Sequence, residues 1–219
     1  MKNEQVSLRP VISTATRTSL IAALLCAVSL LLPNARAQQG EADRQALAQL
    51  RAKAETGDAH AQCELGTVFS LGRYGAATNY VEAIKWFRQA AAQNHADAQY
   101  HLGFCYDTGQ GVVPDIAEAV KWYRQAAEQH HAGAQYNLGS CYALGEGVAQ
   151  NAVEAVKWCR QAAEQNHTDA QDRLGTLYTT GQGVATSYVE AVKWFRRAAE
   201  QHHAMAQNHL GFCYATGQG

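Results

Sequence analysis

The fold this sequence predicts is all-α, a right-handed α-solenoid of helix–turn–helix repeats with a 36-residue period, and three observations carry it. Trp86, Trp122, Trp158 and Trp194 follow one another at intervals of 36 residues. Around each the same phrase recurs: Ala-Gln, Leu-Gly, a glycine-rich turn, Glu-Ala-(Ile/Val)-Lys-Trp, then Arg-(Gln/Arg)-Ala-Ala. Within each phrase, two apolar stretches of helical length flank that turn. Fixed periods of about 20 to 50 residues mark solenoids, whose units bury their apolar faces only against their neighbours. At 219 residues and 47% hydrophobic composition, the chain is long enough to bury a sizeable core.

Residues 1–37 read as a signal peptide. Lys2, Arg9 and Arg17 make a basic start, Leu20 to Leu32 is an uncharged apolar run of 13 residues, and Ala35-Arg36-Ala37 is an A-x-A cleavage site. A run of that length is too short to span a bilayer comfortably, and bulky Leu25 before Cys26 argues against a lipid anchor there. Cleavage removes four of the 18 basic residues and one of the 19 acidic ones, leaving 14 against 18 and a net charge of −4. A periplasmic or secreted location follows, with no membrane span after cleavage. Nothing in that charge suggests a phosphate-binding surface, so no nucleic-acid partner is expected.

Residues 38–58 are expected to form an N-terminal capping helix. Gln45 to Gly57 aligns with Glu118 to His130, with Gln49 in place of the tryptophan, giving the polar outer face that the end of a solenoid needs. Repeats 1 to 4 then occupy residues 59–95, 96–131, 132–167 and 168–203, and a partial repeat 5 occupies 204–219. The first helix of a unit is exemplified by Ala98 to Thr108, with Ala98, Leu102, Cys105 and Tyr106 on one face. Gly103, Gly139, Gly175 and Gly211 recur inside it. A mid-helix glycine costs about 1 kcal/mol against alanine, so glycines at one register predict close helix–helix contact.

The turn reads Gly109-Gln110-Gly111-Val112 and repeats as Gly145-Glu146-Gly147-Val148 and Gly181-Gln182-Gly183-Val184. Repeat 1 has Gly72-Arg73-Tyr74-Gly75 with one extra residue, which makes Leu65 to Leu102 37 residues. The second helix opens on a capping box, Asn79/Glu82, Asp115/Glu118, Asn151/Glu154 and Ser187/Glu190. Its buried face should hold Ala119, Trp122, Tyr123 and Ala126, and its outer face Glu118, Lys121 and Arg124. Each second helix is expected to close at Asn94-His95, His130-His131, Asn166-His167 or His202-His203, where Asn serves as a left-handed residue as Gly57 does upstream. The chain stops at Gly217-Gln218-Gly219, midway through a unit, which predicts a fragment of a longer array in preference to a last unit packed on something else.

These motifs resemble the Sel-one-like repeat family, a relative of the tetratricopeptide repeats. The family pattern maps onto Ala98, Leu102, Gly103, Tyr106, Gly109, Gly111, Val112, Asp115, Ala119, Trp122, Tyr123, Ala126 and Ala127, and recurs in the other units. The resemblance implies an adaptor or scaffold with no shared catalytic residues. This chain departs from it in the Asn or His that replaces the usual glycine at the helix end, and in the widened first turn.

Five cysteines remain after cleavage: Cys63, Cys105, Cys141, Cys159 and Cys213. Cys105, Cys141 and Cys213 share a register with Val68 and Leu177, so a buried small hydrophobe is the expected role. Equivalent positions in successive units lie roughly 10 Å apart, beyond the reach of about 7 Å for a disulfide. Cys159 takes the register of Phe87, Tyr123 and Phe195 and reads as packing. Cysteine-rich secreted members of the family bridge a second helix to the next first helix; Cys63 suits that, but its counterpart near Ala54 is not cysteine. The odd count leaves open a free thiol or an intermolecular bond. His95, His131, His167 and His203 recur at repeat pitch, too sparse for one metal ion, so no metal site is expected and these residues read as polar helix-closers. They also make that edge charge-sensitive between about pH 5 and 7.

Positions constant across units serve the scaffold, whereas three columns of the first helix vary. They read Cys63/Tyr100/Tyr136/Asp172/Asn208, Glu64/His101/Asn137/Arg173/His209 and Thr67/Phe104/Ser140/Thr176/Phe212. They lie opposite Leu102 and Tyr106, on the side that lines the concave groove in tetratricopeptide-like arrays. Tyr100, Phe104, Tyr136 and Phe212 are expected there as exposed aromatic anchors. The function expected is a noncatalytic protein–protein interaction scaffold holding a peptide or protein in that groove, with no cofactor. The alternatives are a cell-envelope enzyme of the penicillin-binding or β-lactamase-like kind, attributed to some secreted members, and the regulatory part of a longer protein. No S-x-x-K, K-T-G or G-x-S-x-G motif is present, and no catalytic residue is nominated.

Overall fold

The computed structural model describes residues 38–219, and the expected signal peptide lies outside them. The described residues form ten helices and no strand. They are α1 (residues 38–55), α2 (Ala59–Leu71), α3 (Tyr80–Ala92), α4 (Ala96–Thr108), α5 (Ile116–Glu128), α6 (Ala132–Leu144), α7 (Ala152–Glu164), α8 (Thr168–Thr180), α9 (Tyr188–Glu200) and α10 (Ala204–Ala215). From α2 onward the packing runs between consecutive helices, so the core is a chain of small clusters strung along an α-solenoid.

Within a unit the two helices meet at the recurring glycine. A Cβ added at Gly66, Gly103 or Gly175 would fall 2.6 Å, 2.6 Å or 2.5 Å from the ring of Phe87, Tyr123 or Phe195. At Gly139 the partner is the Cys159 sulfur, at 2.8 Å. The constant glycine thus gives the residue facing it room for close approach, whether that residue is Phe87, Tyr123, Cys159 or Phe195. Between units the tryptophan does the joining. Trp86, Trp122, Trp158 and Trp194 each pack on the cluster formed with the preceding unit. The expected buried face of α5 is present in Ala119, Tyr123 and Ala126, with Trp122 half-buried.

Helix ends follow local chemistry. Gly72, Gly109, Gly145 and Gly181 close the first helices in the left-handed region. Asn79, Asp115, Asn151 and Ser187 cap the second helices by accepting the amide N–H of the glutamate three residues on. Only half of the expected capping box forms. The cap's own N–H donates instead to the carbonyl of Phe69, Tyr106, Tyr142 or Tyr178, which pins the turn to the preceding helix. With that donor satisfied, each glutamate turns outward to Lys85, Lys121, Lys157 or Lys193. The outer-face arginines also do more than face water, since Arg88, Arg124, Arg160 and Arg196 each donate to the hydroxyl of the tyrosine 18 residues on, in the next unit.

The histidines expected to close the second helices divide the work with their neighbours. Asn94, His130, Asn166 and His202 take the left-handed conformation, with φ of 62°, 64°, 66° and 63°. The residue after each opens the next helix. His131, His167 and His203 accept the N–H of Ala134, Ala170 and Ala206 on Nδ1, as Asp58 accepts that of Ala61. His95 stands at the same position without that bond, its Nδ1 buried and unpartnered. The correction has a simple cause: an imidazole nitrogen with a free lone pair serves as an N-cap acceptor, and the chain reverses in a single residue before it.

The five cysteines among the described residues are free and buried. Burial pushes the Cys63 thiol up to about 12 and those of Cys105, Cys141 and Cys159 up to about 11. The glycine register yields a direct comparison. Gly103→Ala drives a methyl into the Tyr123 ring and should cost about 1 to 3 kcal/mol. In the 219-residue chain Gly211 has nothing within 4 Å of its Cβ position, so in that chain Gly211→Ala should be neutral or stabilising by up to about 1 kcal/mol. Thermal unfolding of the two variants checks both signs.

Candidate functional site

The three variable columns lie on the first helices α2, α4, α6, α8 and α10, and the structure sorts their members into different environments. Phe104 and Phe212 are 37% and 64% exposed, as expected of anchors. Tyr100 and Tyr136 differ from that expectation by being half-buried. Each lies against the histidine that opens the next first helix, Tyr100 on His131 with ring centroids 4.4 Å apart and Tyr136 on His167 at 5.0 Å. Burial raises the pKa of both phenols.

The second column is more enclosed than its variability suggests. His101 stacks on Phe87 at 4.8 Å, and burial lowers its pKa. His209 lies 4.9 Å from Phe195, and its Nδ1 is 2.8 Å from the Asp172 carboxylate. Asp172 is buried, so it belongs to the joint between units and not to a free surface. Asn137 and Arg173 are half-buried, and Asn208 is exposed. The hydroxyls of Ser140 and Thr176 donate back to the carbonyls of Tyr136 and Asp172 in their own helices.

These side chains line shallow clefts. One of about 340 Å³ holds Thr67, Tyr80, Phe87, His101 and Phe104. Another of about 460 Å³ brings together His60, His95, His101 and His131 with Asp97 and Tyr100. No cluster of three or more His, Cys, Asp or Glu residues poised to hold a metal ion occurs among the described residues. No helix among them is long and apolar enough to cross a membrane.

One set of residues with a clear structural task was absent from the expected sites. Gln62, Gln99, Gln135 and Gln171 are buried. Each donates to a carbonyl eight residues back, at Ala54, Ala91, Ala127 or Ala163, near the end of the preceding helix. Each also accepts from the glutamine that ends its own unit, Gln93, Gln129, Gln165 or Gln201, at 2.6–2.8 Å. The signal was on view in the repeated Ala-Gln, a polar residue at an invariant helical position.

The model of the Sel1 repeat matches residues 59–95, 96–131, 132–167, 168–203 and 204–219. The chain belongs to the Sel1 repeat family. Among solved structures, it is similar to a protective antigen present in uropathogenic Escherichia coli strains that displays an SLR fold, at 43% identity with a TM-score of 0.76. That match covers 79% of this chain and 37% of the antigen, so the chain spans little over a third of that relative. It is also similar to a Sel1 repeat protein from Oxalobacter formigenes, at 36% identity with a TM-score of 0.75, covering 82% of this chain and 74% of the other. No curated protein matches the chain.

The histidine caps of this Sel1 array make its stability depend on pH. A cap requires an unprotonated Nδ1, and burial lowers the pKa of His131 and His167 below the ordinary 6.5. Asp97 and Asp169 oppose that shift, and burial outweighs them. The unfolded chain therefore binds protons first, so the stabilisation is whole above about pH 6.5 and is lost as pH falls through the folded values. The melting temperature should drop between pH 7.5 and 5. His131→Asn with His167→Asn, which keeps an acceptor but cannot titrate, should reduce that drop, and equal slopes in the two proteins would contradict the assignment.

Proposed function

We propose that this Sel1 repeat protein is a noncatalytic interaction scaffold that holds a peptide or protein along the face formed by its first helices. The observation that carries this reading is the exposure of Phe104 and Phe212. Large aromatics left open beside clefts are what a bound partner covers. They stand in a column that changes from unit to unit, whereas the residues that build the stack repeat. Such a division leaves the scaffold constant and lets the face be specific.

The location we propose is the periplasm or the cell exterior, on the basis of the basic start, apolar run and A-x-A site within residues 1–37. Similarity to a protein described as a protective antigen is consistent with export. The buried, high-pKa thiols fit such a setting, because they resist oxidation without forming disulfides.

A partner captured on the immobilised protein and then made recombinantly provides the test. Its affinity should fall at least about tenfold when Tyr100, Phe104 and Tyr136 are all changed to alanine, with helicity by circular dichroism retained. Unchanged affinity in a folded triple variant sinks the face. Nitrocefin should not be turned over by the wild-type protein, and N-terminal sequencing after export should begin at Gln38.

A further inference from the structure

The face contains the same cleft twice. The first, of about 340 Å³, opens between α2 and α4 over α3. The second, of about 320 Å³, opens between α8 and α10 over α9. Phe87 with His101 against it becomes Phe195 with His209, at ring separations of 4.8 and 4.9 Å. Tyr80, Phe104 and Gln110 become Tyr188, Phe212 and Gln218, and Thr67 becomes Thr176. The sole change among the residues of the second cleft is conservative, Ser70 to Thr179.

This repetition is at three units, not one. Residues 101–111 and 209–219 differ only in Asp107 against Ala215, and residues 77–88 and 185–196 only in Asn79 against Ser187 and Ile84 against Val192. The intervening units break the set. Tyr80, His101, Phe104 and Gln110 are answered there by Ile116, Asn137, Ser140 and Glu146, then by Ala152, Arg173, Thr176 and Gln182. Surface positions outside the clefts diverge even between the matching units, with Glu64 against Arg173 and Asp97 against Met205. The first cleft is lined in addition by Leu71 and Tyr100, whose counterparts Thr180 and Asn208 do not line the second. What is held alike is the lining that the two clefts share.

Charge identifies what it takes. Neither cleft is lined by Asp, Glu, Lys or Arg, whereas the equivalent positions between them carry Asp107, Glu146 and Arg173. An uncharged aromatic floor, with tyrosine, histidine and glutamine groups beside it, suits one bulky apolar side chain and the main chain that carries it. We propose that the two clefts are copies of one binding site, each taking an uncharged aromatic side chain from a peptide segment. This rests on the interaction-scaffold reading and specifies it. At roughly 10 Å per unit, the sites stand about 30 Å apart, so one partner with two such side chains gains from holding both.

The probe is a blocked, uncharged pentapeptide with a central tryptophan, compared with a tandem peptide carrying two such tryptophans on a flexible linker that spans about 30 Å. Binding is followed by NMR titration and calorimetry. Phe104→Ser and Phe212→Ser remove one cleft each, and Ser140 in the same column shows that the fold accepts the change. The expected result is two sites per chain, one in either variant and none in the double variant. The tandem peptide should bind at least about tenfold tighter than the single one, an advantage lost in either variant. No binding up to millimolar peptide, sites indifferent to both substitutions, or a tandem peptide no tighter than the single one overturns the proposal. Tyr136→Ala, outside both clefts, separates the two readings. If the captured partner still depends on Tyr136 after such a result, the interaction face stands and only the paired clefts fall.

Discussion

A buried glutamine can be satisfied in only one stacking of three helices, and that constraint orders this array. Gln135 donates to the Ala127 carbonyl of the helix before it and accepts from Gln165 of the helix after it. Apolar packing alone tolerates sliding, because methyls and rings interchange neighbours at modest cost. A buried amide does not, since each unpaired donor or acceptor costs about 1 to 3 kcal/mol. The same relay recurs from Gln62 to Gln171, so every unit is held to its neighbours in one register. The glycine contacts, the tryptophan joints and the arginine–tyrosine bonds all presuppose that register.

Because the register is uniform, the array presents equivalent positions side by side. Three columns on the first helices are thereby free to differ without disturbing the stack. Some of that freedom has been used to tighten the joints, as where Asp172 binds His209 across units or His131 covers Tyr100. The rest lies open at Phe104 and Phe212. On the proposed reading, specificity lies in a pattern along the array, in which two similar clefts are separated by units of different character.

The helix termini were legible in the sequence to differing depths, for a physical reason. Asn79, Asp115, Asn151 and Ser187 were readable as caps, because a short polar side chain before an apolar run has one common local use. The bond that completes each turn, from the cap N–H to the carbonyl of Tyr106 or its counterparts, was not. It joins backbone groups, and residue identity does not encode where a backbone donor points. The histidines show the same limit. Their period was plain, but their role depends on which nitrogen meets the Ala134, Ala170 or Ala206 amide.

The sequence by itself determined the all-helical repeat, the period set by Trp86, Trp122, Trp158 and Trp194, the glycine close approach and the columns that vary. These follow from periodicity, which a linear chain displays directly. Only the tertiary structure decided which members of those columns reach the surface, since exposure depends on what the next unit lays over them. Tyr100 and Tyr136 are half covered by histidines 31 residues on, whereas Phe104 and Phe212 remain exposed. It likewise took the folded array to bring residues 67, 80, 87, 101 and 104 into one cleft, and to show that cleft rebuilt three units later.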